Sequence, residues 1–447
     1  MSLPRLPRLP RLPRLPRLPR LPRLPRRSGS EGPAPPPAST ESRSEGRVVL
    51  PFGLRRRLLA AQLVIALLAG AGLALLLHSG HSNRPARAPA RAGTSPGSPS
   101  SASAGAGAGA NGTSNSQRTV TLPLDRAVAQ LFLIGFAGTD ARSPLLASLH
   151  ARDWGGVVID PSNFVDAHQL SALTGLVERS VAQARHTSPF VVARQAGGSA
   201  STFPNLPPVP QPQQGTGGRS AVAQSQAIAT ARALARVGVN MNLAPNADLA
   251  YEGGLGADRA FSSDPAVVVK LTASALRGYR MTRVISVPGP FPGEGAAAQD
   301  PAYGVASVGL SLAQLQARDL RPFAAVVGQA PAIQLSDALF TALDPVTPAT
   351  LSAPAIALLR HGLGYRGVIV SGDLQAASAA GASIGQDAVD ALRAGADMLY
   401  ISGDAAAQDA AFRAVLSAVQ SGQLSERQIA QSVARELALK RVYRLVR

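Results

Sequence analysis

Three acidic side chains, Glu294, Asp300 and Asp373, stand in polar segments downstream of short apolar runs. Glu294 and Asp300 are six residues apart and follow the same run, whereas Asp373 follows a later one. Carboxyl groups that meet around one substrate can act on it as general acid and general base. We therefore treat these three residues as the candidate catalytic groups of the chain.

Other kinds of chemistry find little support in the sequence. The chain has no cysteine, which excludes disulfides, thiolate zinc sites and a cysteine nucleophile. No glycine-rich segment has the length and placement of a dinucleotide-binding motif. The following histidines are scattered without the spacing of metal ligands: His150, His168, His186 and His361. We expect neither a metal site nor a cofactor.

The elements that must position the carboxylates lie in residues 119–447, where short apolar runs alternate with segments of helical periodicity. The eight runs are residues 131–135, 156–159, 190–193, 239–243, 284–287, 332–335, 368–370 and 398–401. The clearest helical segments are residues 225–237, 265–279, 312–327 and 384–394. Such alternation is typical of a parallel sheet, and eight repeats over this length predict an α/β fold, a (β/α)₈ TIM-type barrel. In that fold, functional residues lie in the loops that follow the strands.

The net charge of +18 is concentrated in the first quarter of the chain. Residues 1–118 carry 18 arginines and three acidic residues, a net charge of +15, and residues 119–447 carry the remaining +3. A charge of +3 is ordinary for a globular domain. We therefore expect no nucleic-acid-binding surface on the barrel.

Residues 58–77 form an apolar run with Gln62 as the single polar residue. Twenty residues of helix span about 30 Å, the thickness of the bilayer core. Arginines before the run outnumber those after it, which predicts a cytoplasmic N-terminus and a barrel outside the membrane. Residues 80–117, rich in Ser, Gly, Ala and Pro, are predicted to be a flexible tether with a mean reach of about 35 Å.

Residues 1–46 are predicted to be a disordered cytoplasmic arm and spacer. Residues 3–26 are eight copies of Leu-Pro-Arg, and proline at every third position favours polyproline II over helix or sheet. One interpretation is an arm that contacts anionic lipid or nucleic acid. The other is an expanded nucleotide repeat, or a start codon assigned too far upstream, in which case the arm has no function.

Seven segments of residues 120–447 resemble, in the same order, motifs of glycoside hydrolase family 3, in its single-domain β-N-acetylhexosaminidase branch. The segments are residues 130–136, 155–159 with Asn163, 242–245 with Asp248, 258–265, 343–345, 348–352 and 363–371. The resemblance implies a barrel that hydrolyses O-glycosyl bonds of cell-wall amino sugars. Retaining hydrolysis requires a carboxylate nucleophile on one face of the sugar and a proton donor on the other.

The positions that match the family's catalytic residues have changed. The family's nucleophile is the first Asp of a V-S-D-D-L motif, but residues 370–374 read V-S-G-D-L, so Gly372 stands at that position. The family's donor is the His of a D-S-H loop, but residues 300–302 read D-P-A, so Ala302 stands there, and the orienting Asp300 remains. Asp373 is predicted to be a poor substitute because successive strand residues point to opposite sides.

The positions that match the family's sugar-binding residues are partly kept. Arg259 matches a sugar-binding arginine, whereas a Lys-His pair of the family is replaced by Gly289-Pro290 and a neighbouring His by Glu294. The loop at residues 193–199 lacks the family's Asp, Glu and Arg. The candidate substrate-binding residues are Arg259, Asp248, Asn163 and Gln195.

Three interpretations stay open at this point. The first is a membrane-tethered, catalytically degenerate glycosidase that binds an amino-sugar glycan or a cell-wall protein at the barrel mouth without cleaving it. The second is an active hydrolase of amino-sugar glycans that uses relocated carboxylates, Glu294, Asp300 or Asp373. Two carboxyls about 5–5.5 Å apart would suit retention, and about 6.5–9.5 Å inversion. The third is an interaction protein that acts through its basic arm, residues 1–46.

Overall fold

A computed structural model describes residues 122–378 and 383–446. The predicted arm, the apolar run at residues 58–77 and the tether lie outside the described residues, so these three stay predictions. Within the part of the chain that the structure describes, no helix is long and apolar enough to cross a membrane.

All eight apolar runs form strands of one parallel sheet, which confirms that part of the prediction. The sheet order is β5-β4-β3-β2-β1-β8-β7-β6. The strands are β1 (Phe132–Ile134), β2 (Gly156–Ile159), β3 (Phe190–Ala193), β4 (Met241–Asn242), β5 (Ile285–Ser286), β6 (Ala332–Gln334), β7 (Val368–Asp373) and β8 (Met398–Ile401). The strands are mostly apolar because the strands of a parallel barrel are buried on both faces.

The sheet is nearly closed between β5 and β6, through the segment that follows β5. The Phe291 N–H donates to the Gln334 carbonyl at 2.8 Å, and the Ser336 N–H donates to the Phe291 carbonyl at 2.8 Å. Phe291 and Leu335 thereby form a parallel bridge. The result is an eight-stranded parallel barrel of the TIM type.

Helices precede the first strand, occupy the segments between the strands and follow the last strand. They are α1 (Leu124–Gln130), α2 (Pro144–Ala151), α3 (Ala167–Gln183), α4 (Gln211–Gly215), α5 (Ser220–Arg236), α6 (Pro265–Arg280), α7 (Leu312–Ala317), α8 (Leu320–Val326), α9 (Ala353–Ala357), α10 (Leu374–Ser378), α11 (Ile384–Ala394), α12 (Ala405–Gln420) and α13 (Glu426–Val442). Short 3₁₀ and π turns complete several of the connections.

The helix predicted over residues 312–327 was wrong as a single element, because it is divided into α7 and α8. Arg318 has φ −130° and ψ −75°, outside the helical region. Proline in a helix clashes with the carbonyl four residues earlier, and for Pro322 that carbonyl belongs to Arg318. The apolar periodicity continues across the break, which is why the sequence suggested one helix.

The amino-terminal end of the barrel is closed by α13. Leu439 packs with strand residues such as Leu133 and Phe190 in the barrel interior. Beside it, Lys440 is fully buried and pairs with Glu436 at 2.6 Å, while its ammonium also donates to the Gln130 side chain at 2.9 Å. This end of the barrel is therefore a packed floor, and the opposite end is open.

Candidate functional site

The open end of the barrel holds a cleft of about 480 Å³, which we call the mouth cleft. Loops that follow β2, β3, β4, β5, β6 and β7 contribute to its walls. Its charged lining residues are Asp160, Arg194, Arg259, Glu294, Asp300, Asp337 and Asp373. Five carboxyl groups thus face two guanidinium groups, so the carboxyl groups outnumber their possible partners.

Glu294 is held in the wall of the cleft by two hydrogen bonds. Its backbone N–H donates to Asp248 at 2.8 Å, and its carboxylate accepts a hydrogen bond from the Ser336 hydroxyl at 2.6 Å. Burial raises the pKa of Glu294, and the charge of Asp300 acts in the same direction against the opposing Ser336 hydrogen bond. A carboxyl group that keeps its proton to a higher pH is suited to act as a proton donor.

Asp300 and Arg259 form an ion pair in the same wall. Arg259 Nη2 lies 2.7 Å from Asp300 Oδ2, and the Ala302 N–H donates to Asp300 Oδ1 at 2.9 Å. Burial opposes the ionisation of Asp300, but these two interactions outweigh it and lower the pKa of Asp300. Asp300 is therefore an ionised anchor for Arg259, whose buried Nε has no hydrogen-bond partner among the described residues.

Asp373 lines the cleft, although strict alternation along β7 predicted that it would not replace a side chain at position 372. The pairing of β7 with β8 is irregular between Val370 and Asp373, which interrupts the alternation. Asp373 Oδ1 accepts hydrogen bonds from the N–H groups of Gln375 and Ser402, both at 3.1 Å. These bonds tie the start of α10 to the end of β8.

Asp337 is a charged residue of the cleft that the sequence analysis missed. It follows β6, and its Oδ2 accepts a hydrogen bond from the Asp373 N–H at 2.7 Å. Its Oδ1 is buried and has no hydrogen-bond partner in the described part of the chain. Burial raises the pKa of Asp337 well above that of an ordinary aspartate, and the neighbouring charges of Asp373 and Glu294 raise it further.

The Asp337 carboxyl group fills the space in front of Gly372. A Cβ atom added to Gly372 would lie 2.0 Å from Asp337 Oδ1 and 2.2 Å from Oδ2. Such distances are far inside van der Waals contact, so position 372 has no room for a side chain while Asp337 stays where it is. The other substituted catalytic position, Ala302, lines the cleft with a methyl group.

Three of the candidate substrate-binding residues are not among the residues that line the cleft. Asn163 is buried and donates to the carbonyls of Phe136 and Gly138, at 3.0 and 3.1 Å. Gln195 is buried and donates to three carbonyls of residues 203–207. Asp248 is fully buried beneath Glu294. In this structure the three side chains hold loops together.

The cleft residues that were missed share a position in the sequence. Asp160 follows β2 directly, Arg194 follows β3 directly, and Asp337 comes three residues after β6. Burial and the charge of Asp373 raise the pKa of Asp160, while Arg194 opposes them. The rule that functional residues follow barrel strands would have identified all three without any motif.

Comparison with known proteins gives a family match over most of the described chain. Residues 123–439 match the family model described as "Glycosyl hydrolase family 3 N terminal domain". A protein named Beta-hexosaminidase from Stenotrophomonas maltophilia is 28% identical over 292 residues, covering 61% of this chain and 83% of that protein. Another Beta-hexosaminidase, from Alkalilimnicola ehrlichii, is 32% identical over 282 residues, covering 60% and 79%.

Solved structures give the same result for the fold. A glycoside hydrolase family 3 β-N-acetylglucosaminidase from Paenibacillus sp. superposes with a TM-score of 0.69 at 30% identity, covering 73% of this chain and 63% of that one. This chain thus spans less than two thirds of the Paenibacillus protein. The β-N-acetylhexosaminidase from Beutenbergia cavernae superposes with a TM-score of 0.65 at 26% identity, covering 72% and 99%.

Proposed function

Because the chain belongs to glycoside hydrolase family 3, we propose that its mouth cleft binds an amino-sugar glycan. Relatives and solved neighbours named as hexosaminidases and acetylglucosaminidases support this ligand class. The cleft has the volume of an ordinary ligand site, and its wall carries the Arg259–Asp300 pair. Sugar hydroxyls can both donate and accept hydrogen bonds, so a wall of carboxyl and guanidinium groups suits them.

We further propose that the site is degenerate at the two positions that match the family's nucleophile and proton donor. The observation that carries this is the filled space at Gly372, where a side chain cannot be accommodated beside Asp337. Ala302 has no group that can transfer a proton. Hydrolysis through these two positions is therefore not expected, and the cleft would hold a glycan without cleaving it by the family's usual groups.

Calorimetric titration of the full-length protein with a β-1,4-linked N-acetylglucosamine disaccharide tests the proposed ligand. We expect saturable binding, weaker binding of a glucose disaccharide, and a loss of affinity in Arg259→Met. Arg283→Met is the matched control, because Arg283 lies at the opposite end of the barrel. Equal affinity in both arginine variants, or no binding at all, would contradict the proposal.

We also propose that residues 58–77 anchor the protein in the cell membrane, with the barrel outside. The length of the apolar run and the excess of arginine before it support this arrangement. Cell fractionation should find the full chain with the membranes and a chain lacking residues 1–77 in the soluble fraction. A soluble full-length chain would refute the anchor while leaving the glycan site untested by this experiment.

A further inference from the structure

Asp337 and Glu294 are held together by one short segment of chain. Ser336, the neighbour of Asp337, donates its hydroxyl hydrogen bond to Glu294 at 2.6 Å. Both carboxyl groups line the mouth cleft, and Asp337 has one oxygen without a hydrogen-bond partner among the described residues. Most glycoside hydrolases use two carboxyl groups around one bond, one ionised and one protonated.

We propose that Asp337 is the nucleophile, and Glu294 the proton donor, of a glycoside hydrolase activity in the mouth cleft. This inference rests on the proposed binding of an amino-sugar glycan and goes beyond it, because binding alone requires no reaction. The position of Asp337 supports it directly. Its carboxyl group occupies the space that a side chain at position 372 would take. The carboxylate of Asp337 therefore lies close to the place of the nucleophile that position 372 lacks.

The reaction balances with these two residues and water. A carboxylate oxygen of Asp337 forms a bond to the anomeric carbon while the bond from that carbon to the glycosidic oxygen breaks. The electron pair leaves with the glycosidic oxygen, which takes the proton of Glu294. Water then gives a proton to the Glu294 carboxylate, attacks the anomeric carbon and releases Asp337, so the configuration is retained.

The ionisation of the two groups sets a condition on this reaction. Asp337 must be ionised, yet burial and the charges of Asp373 and Glu294 raise its pKa. Arg194, which lines the same cleft, opposes that rise. Because Asp337 must be ionised while Glu294 keeps its proton, the rate should pass through a maximum as pH rises and fall on both sides of it.

Chemical rescue of the full-length protein is the decisive experiment. With an aryl N-acetyl-β-glucosaminide, Asp337→Ala should lose turnover by at least about 10³-fold, as expected for loss of a nucleophile. Azide should restore turnover, because it fits the space that the carboxyl group leaves, and the product should be the α-glycosyl azide. Asp390→Ala on the outer face of α11 is the matched control and should retain the wild-type rate.

The possible outcomes separate this inference from the proposed function. Loss of turnover without azide rescue, or an Asp337→Ala rate equal to the wild-type rate, overturns the assignment of Asp337. A wild-type protein that binds the disaccharide by calorimetry but never turns over overturns the inference and leaves the glycan site intact. Absence of binding overturns both. Mass spectrometry after reaction with a 5-fluoro amino-sugar fluoride should place a covalent adduct on Asp337, and an adduct elsewhere contradicts the proposal.

Discussion

Both ends of the barrel bury ionisable side chains, but only one end pairs each buried charge with an opposite one. At the floor, Lys440 and Glu436 are fully buried and lie 2.6 Å apart, so opposite charges are matched. At the mouth, Asp337 lies beside Asp373 and near Glu294, so its neighbours carry the same charge. The floor therefore compensates its buried charge, whereas the mouth retains like charges close together.

This difference indicates that the buried charges at the floor stabilise the fold, whereas those at the mouth belong to a binding site. Uncompensated burial of a carboxyl group is unfavourable, and groups with strongly shifted pKa values in a cleft are typical of functional sites. The Lys440–Glu436 pair closes a packed surface against Phe190 and needs no ligand. Asp337, in contrast, lines the open mouth cleft among other carboxyl groups.

The largest effect on stability should come from breaking the floor pair. Lys440→Met leaves the Glu436 carboxyl group buried without its partner, which should lower the free energy of unfolding by about 3–5 kcal/mol. Denaturant unfolding monitored by circular dichroism measures it. Lys440→Met combined with Glu436→Leu should recover most of the loss, and a double variant as unstable as the single one would contradict the pairing.

A smaller effect is expected from adding a methyl group at Gly372. Its Cβ would clash with Asp337, so Gly372→Ala should cost about 1–3 kcal/mol of unfolding free energy, the usual range for overpacking. The cost should disappear in Gly372→Ala with Asp337→Gly. Gly328→Ala is the control, because a Cβ there meets no atom within 4 Å. If the changes in unfolding free energy of Gly372→Ala and Asp337→Gly simply add in the double variant, a clash between the two residues is not the cause of the cost.

A further prediction concerns the sign of the pH dependence at the mouth. The folded-state pKa of Asp337 is raised, so the folded protein binds more protons than the unfolded chain, and the contribution of Asp337 to stability falls as pH rises above the ordinary aspartate range. Asp337→Asn should therefore unfold at higher denaturant concentration at neutral pH, with a gain of about 0.5–2 kcal/mol. A stability difference that does not change between acidic and neutral pH would refute this origin of the effect.

The smallest effect should come from Asp300, with the opposite sign. Its pKa is lowered, so its contribution to stability is present above the unfolded-state pKa and is lost as pH falls through the folded-state pKa. Asp300→Asn should destabilise the protein at neutral pH by less than about 1 kcal/mol, because the pair with Arg259 is partly exposed. Stabilisation by Asp300→Asn would show that the ionised carboxylate of Asp300, like that of Asp337, destabilises the folded protein.

The sequence was sufficient for the barrel because each strand lies in a short, mainly apolar run. Residues 156–159, 190–193 and 398–401 were predicted with the bounds that the structure has. The site was harder to predict, because motif comparison directs attention to the positions that the family uses. This comparison showed that Gly372 and Ala302 carry no catalytic side chain. It did not identify Asp337, which lies outside the matched motifs. Its contact with Gly372 joins residues 35 positions apart, and only the fold brings them together.

A crystal structure of the full-length protein with an N-acetylglucosamine-derived ligand in the mouth cleft would show whether Asp337 stands where a nucleophile must. We predict that the anomeric carbon lies within about 3–3.5 Å of an Asp337 carboxyl oxygen, the separation of reacting atoms in a productive complex. Glu294 should lie on the side of the glycosidic oxygen. A sugar bound in the cleft with its anomeric carbon away from Asp337, or bound outside the cleft, would contradict the role of Asp337 as nucleophile.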